Sequence, residues 1–156
     1  MGKRERKIEA VKKYIDGAAG AWSGYAYGKI PKSLATAACR SYAGAVQAED
    51  IIGLIDITVS GNGKKGMIFT ESNIYYDNGM LGDRGAVSYQ KIHETGRIPG
   101  EVLSSTYNSN AMKELVSILA NIEGEDTIKE IEKTVGAGIA LFGALVELFS
   151  GGSEDE

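Results

Sequence analysis

The run Ile51-Ile52-Gly53-Leu54-Ile55-Asp56-Ile57-Thr58-Val59 is dominated by β-branched residues and nearly continuous in apolar character. Such a run fits a strand covered on most of both faces. Shorter segments of the same kind follow at residues 67–70, 74–76 and 86–92. They are separated by a Gly-Asn-Gly-Lys-Lys-Gly turn at 61–66, a polar corner at 71–73 and a loop carrying Gly79, Gly82 and Gly85. These spacings predict an antiparallel meander with short connections. Residues 93–100 are expected to be a loop, and 101–107 a further strand.

Helical spacing flanks this block. Ile8, Val11, Ile15, Ala18, Trp22 and Tyr25 recur at steps of three and four, which predicts a helix over about residues 3–27. Gly20, Gly24 and Gly28, four apart, would give that helix a second face open to close approach. After Pro31, Ser33 is placed to cap a short helix over 34–42. Asn108, Ser109 and Asn110 offer cap oxygens to a helix with Met112, Leu115, Val116, Leu119 and Ile122 on one stripe, expected to end at Gly124. A last helix is expected over about 126–149. Its residues 134–146 are uncharged, Gly136, Ala140 and Ala144 are four apart, and the stretch is too short for the ~20 residues that span a bilayer. Residues 150–156 read as an acidic, disordered tail.

The expected organisation is therefore an N-terminal helical segment (1–48), a sheet with a capping helix (49–124), a C-terminal apolar helix (125–149) and the tail (150–156), forming one α+β domain. The chain has 21 glycines in 156 residues, about twice the usual share, and only two prolines. The glycines are assigned to turns of the sheet and to close-packing faces of the terminal helices.

Charge narrows the functions. Net charge is −4, which argues against sequence-independent nucleic-acid binding. Residues 1–13 carry +4 and residues 147–156 carry −4, so the two ends are complementary in sign. No signal-peptide core follows the basic start, and the expected location is the cytoplasm, with peripheral membrane association as an extension.

Individual residues offer little chemistry. His93, the only histidine, lacks the second ligand that a metal motif requires. Cys39 sits in an alanine-rich helical stretch, as a small buried residue would. Asp56 interrupts the most apolar strand; alternation places it with Ile52, Leu54 and Thr58, as a hydrogen-bonded carboxylate anchoring a turn. The 61–66 turn lacks the spacing and following helix of a phosphate loop. It does hold two adjacent ammonium groups, Lys64 and Lys65, that suit an anionic headgroup or an acidic peptide. Tyr75, Tyr76, Tyr89 and the Trp22–Tyr27 group are assigned to core edges and interfaces rather than to base stacking.

Ile51 to Val59, the Gly-Lys turn, Gly66-Met-Ile-Phe-Thr-Glu-Ser-Asn-Ile-Tyr-Tyr and Val87-Ser-Tyr-Gln-Lys-Ile together resemble bacterial pleckstrin-homology-like domains of the PH/GRAM type. The match spans about residues 50–93, some 28% of the chain. It implies a sheet or partial PH-like barrel, reduced from seven strands to four or five, with Leu115 and Leu119 on the helix that caps it. It further implies binding, recruitment or scaffolding rather than catalysis, and an anion site at Lys64 and Lys65; no cofactor or metal is expected.

The leading expectation is a non-enzymatic binding or adaptor module engaging a protein partner or an anionic surface through the sheet and its turns. The alternative is homo-oligomerisation or peripheral membrane contact through the small-residue terminal helices. A small hydrolase would require Asp56 and His93 to meet in space.

Overall fold

The computed structural model describes residues 2–79 and 83–138, with side chains described as far as residue 125. The chain divides into two units, Met1–Glu123 and Gly124–Glu156. Residues 126–138 of the expected last helix, Gly136 among them, continue α4; the side chains that would form its stripe, residues 139–149 with Ala140 and Ala144, the loop residue Gly82 and the acidic tail lie outside what is described.

The fold is α+β. Five strands, β1 (Ser23–Ala26), β2 (Ile51–Asp56), β3 (Gly66–Thr70), β4 (Asn73–Asp77) and β5 (Arg84–Ser88), form one open antiparallel sheet in chain order. The helices are α1 (Lys3–Ala19), α2 (Lys32–Tyr42), α3 (Tyr89–Thr95) and α4 (Ser109–Gly138), with a single 3₁₀ turn, Ala48–Asp50, before β2.

Both faces of the sheet are covered, as the unbroken burial of β2 and β3 requires. On one face Ile52, Ile55, Met67, Phe69 and Ile74 pack with Val11 and Ile15 of α1 and with Leu115 and Leu119 of α4. On the other, Ile51, Leu54 and Ile68 meet Leu34, Ala35 and Ala38 of α2. The capping role expected of Leu115 and Leu119 is thus the observed one.

Ile52 and Leu54 lie in opposite layers, although simple alternation puts them on one face. A register shift between Ile51 and Gly53 accounts for this, since a bulge changes the side to which following residues point. The same β2 needs Gly53. A Cβ there would lie 2.7 Å from Val11 Cγ1 and 3.0 Å from Ile15 Cδ1, so glycine sets how closely α1 approaches the sheet.

The first helix is shorter than its stripe suggests. It ends at Ala19, Gly20 turns the chain at φ +66°, and residues 23–26 pair with β2 as an edge strand. Helix propensity falls at the glycines, while the edge of β2 offers a full set of backbone partners. Gly20, Gly24 and Gly28 consequently share no helix face. Gly24 does permit close approach, but from a strand: its added Cβ would lie 3.1 Å from the Ile15 carbonyl oxygen. Residues 23–26 of the expected N-terminal helical segment thus belong to the sheet.

Other boundaries shift for local reasons. Pro31 occupies the N-cap of α2 without a side-chain bond, and Ser33 lies inside the helix. Residues 89–92, expected in a strand, belong to α3, because Ser88 Oγ accepts from the Lys91 N–H at 3.0 Å and starts a helix. Residues 101–107 form turns, closed by bonds such as Val102 N–H to Pro99 O (3.0 Å) and Tyr107 N–H to Ser104 O (3.0 Å). Asn108 caps α4 as expected, with Oδ1 accepting from Ala111 N–H at 3.1 Å, but Gly124 lies within that helix and does not end it. The third segment of the family resemblance is thus divided between β5 and α3, whereas the first two are strands.

Candidate functional site

The β2–β3 connection holds the candidate anion residues, and its shape is set by Asp56. Strand β2 stops there, three residues short of the apolar run. The Asp56 carboxylate, 4% exposed, accepts from Thr58 N–H at 2.9 Å and Thr58 Oγ1 at 2.6 Å. Thr58 Oγ1 in turn accepts from Asn62 N–H at 2.9 Å, and Asn62 Oδ1 from Lys64 N–H at 2.9 Å. Gly61 N–H to Thr58 O and Ile57 N–H to Lys65 O, both 3.2 Å, close the turn. Asp56 is thus the turn anchor expected from its place in an apolar strand.

This ladder turns Val59 outward, and Val59 is 96% exposed, the largest exposure among the described large apolar residues. The two lysines behave differently. Lys64 is exposed, and its ammonium has no hydrogen-bond or ion-pair partner among the described residues. Lys65 is tied into the fold: its Nζ lies 3.2 Å from Asp77 Oδ2, which also accepts from Arg84 Nε (3.2 Å) and Nη2 (3.0 Å). Asp77 Oδ1 accepts from Gly79 N–H at 3.1 Å. Burial pushes the Asp77 carboxyl up, but the Gly79 N–H, Arg84 and Lys65 outweigh it and hold it below the usual carboxylate range. Asp56 and Asp77 both pair with Gly66, on either side of β3.

Asp77 was not singled out by sequence, because Asp77-Asn78-Gly79 reads as a turn signal. The available clue was the register: Arg84 falls opposite Asp77 once β4 and β5 pair.

The remaining candidates do not converge on the turn. His93 is exposed in the last turn of α3 rather than in a loop, and no described contact joins it to Asp56. Burial, then Asp50 and Glu49, push the Cys39 thiol up, which opposes thiolate formation. Among the described residues no group of three or more His, Cys, Asp and Glu is placed to hold a metal ion, and no helix is long and apolar enough to cross a membrane.

No protein-family model, curated protein or solved structure matches the chain.

A second charged cluster, also missed by sequence, joins α1 to α4 and to the corner between β3 and β4. Lys7 is 1% exposed, donating to Glu71 O at 2.5 Å and to Glu123 Oε1 at 2.6 Å, with its ammonium 5.0 Å from the centre of the Tyr89 ring. Lys3 joins Glu123 Oε2 at 3.3 Å. Burial raises the Glu123 carboxyl, yet Lys7 and Lys3 outweigh it and leave it below its ordinary value. Among the described residues, then, part of the basic N-terminal charge is met by Glu123 on α4 and by Glu71, which Arg4 approaches at 3.8 Å.

Proposed function

We propose that the chain is a non-enzymatic binding module that engages an anionic surface, acidic protein or acidic lipid, through the β2–β3 turn. One observation carries this reading: a fully exposed apolar side chain, Val59, is held outward by a hydrogen-bonded turn that also presents the unpartnered Lys64 ammonium. Soluble surfaces carry isolated apolar residues without consequence. A rigid turn that pairs one with a cation matches the wedge-and-charge pattern of interfacial contact. Lys64 is the primary contact residue, and Lys65 contributes what charge remains beside Asp77.

The size of the contact is modest. Burying Val59 supplies about 1.5 kcal/mol, and a lysine near an anionic surface about 1 kcal/mol. A single turn therefore gives an affinity weaker than about 1 mM, and useful binding comes from several copies or from further contacts, as in an adaptor. The PH-like resemblance, which implies an anion site at this turn, supports the same reading.

Retention on phosphatidylserine-containing vesicles and on polyglutamate beads tests it. Val59→Asp and Lys64→Glu should each reduce retention on at least one of these while leaving the melting temperature unchanged, since neither side chain packs in the core. Undiminished retention of both variants, or no retention of the parent chain on either surface, would overturn the proposal. Lys65→Glu is a poorer probe, because it also places a second carboxylate against Asp77.

A further inference from the structure

Beyond the end of β1, a cleft of about 410 Å³ lies between the Tyr27–Gly28 turn, the first turns of α2 and the 3₁₀ turn that leads into β2. Its apolar lining includes Ile51, 2% exposed, together with Ala35 and Ala48, whose short side chains leave the space. Tyr27, one of only two exposed large apolar residues described, lines it as well, and the Arg4 guanidinium lies 5.4 Å from the centre of its ring. The volume falls within the range of ligand-binding clefts.

Two charges complete the lining. Lys32 and Glu49 are both exposed, and neither is hydrogen-bonded or ion-paired through its side chain to any described residue, including each other. Two opposite charges that stay unpaired on one apolar cleft are complementary to a ligand that brings its own opposite pair. The apolar lining that they share selects an apolar group alongside those charges.

We infer that this cleft binds an extended peptide segment of a partner protein in which one apolar side chain lies between an acidic and a basic residue. The apolar side chain covers Ile51, Ala35 and Ala48 beside Tyr27; the acidic residue meets Lys32 and the basic residue meets Glu49. The site shares no residue with the β2–β3 turn and does not depend on the reading given to that turn. Ion pairs in water are weak, so apolar contact supplies most of the binding and the charges supply direction and selectivity.

The test is an amide-resolved NMR titration of the full chain with the blocked tripeptide Asp-Leu-Lys, followed to about 10 mM to reach weak affinities. Expected are shifts confined to the neighbourhood of Tyr27, Lys32, Ala35, Glu49 and Ile51, weakened about threefold by Lys32→Gln and by Glu49→Gln, and weakened by salt. Ala48→Leu, which fills the cleft, should abolish them. The two exposed glutamine variants keep the test decisive if the filling variant is poorly folded. Equal affinity for the blocked tripeptide Ser-Leu-Ser overturns the role of the charges. Tighter binding of free leucine at the same residues overturns the peptide in favour of a small zwitterion. Absence of any shift at these residues overturns the site. Val59→Asp should leave the titration unchanged, which separates failure here from failure at the turn.

Discussion

Tyr42 buries its hydroxyl beside the α2 layer, and among the described buried side-chain atoms it is the one without a hydrogen-bond partner. Burial, above all, holds the phenol far above its ordinary value, so it stays protonated at every working pH. A hydroxyl taken from water without a partner costs the fold free energy, and the ring supplies the packing. Tyr42→Phe should therefore raise the stability by about 1 kcal/mol, read as a higher urea midpoint at unchanged slope. A loss of similar size would mean that the hydroxyl is satisfied after all. Tyr89 is the contrasting case: its hydroxyl donates to Thr70 O at 2.8 Å in the core, and its ring sits beside the Lys7 ammonium.

At the scale of elements, Gly53 and Gly66 show how glycine positions the layers. An alanine at 53 would press on Val11 and Ile15, both buried, and should cost about 2 kcal/mol by overpacking. An alanine at 66 would adopt φ +140° with its Cβ against the Ile55 carbonyl, so its cost should exceed that of Gly53→Ala. Denaturation of the two variants side by side checks both the size and the order; equal, small losses would show that α1 and β2 yield easily.

Elements with a period that matched their environment were legible in the chain. The β2–β4 meander and the stripe from Met112 to Ile122 appear where the spacing put them. Elements chosen by competition were not legible. Trp22 and Tyr25 continue the helical stripe in number, yet the edge of β2 claims that stretch. Tyr89 and Ile92 fit a strand by composition, yet the Ser88 cap, three residues before its backbone donor at Lys91, makes them one face of a helix. At the turn, the lysines were visible, but their different duties depend on Asp77, whose role appears only when β4 pairs with both neighbours.

For the molecule as a whole, two carboxylates couple stability to pH. Asp77 and Glu123 are both held below their ordinary values when folded, whereas in the unfolded chain such groups titrate near 4. The unfolded state thus binds more protons as acid is added. The stabilisation is complete above the unfolded value and is lost as pH falls from there through the lower folded value. The urea midpoint should hold steady at neutral pH and drop as the pH falls below about 5. Glu123→Gln should both shallow that drop and cost about 3 kcal/mol at neutral pH, because the buried Lys7 ammonium loses its carboxylate. An unchanged pH slope in this variant would show that other groups govern acid unfolding.

The order of strands in the sheet also bears on how the chain reaches this state. β2, β3, β4 and β5 are neighbours in space because they are neighbours in sequence, so their pairings close short loops and are quick to form. β1 differs, since α2 and the 3₁₀ turn lie between it and β2. Its docking closes a longer loop at greater entropic cost and gains only a four-residue edge pairing. The edge strand β1 should thus open before the central meander, and its amides are expected to exchange with solvent sooner than those of β2, β3 and β4 in native-state hydrogen exchange.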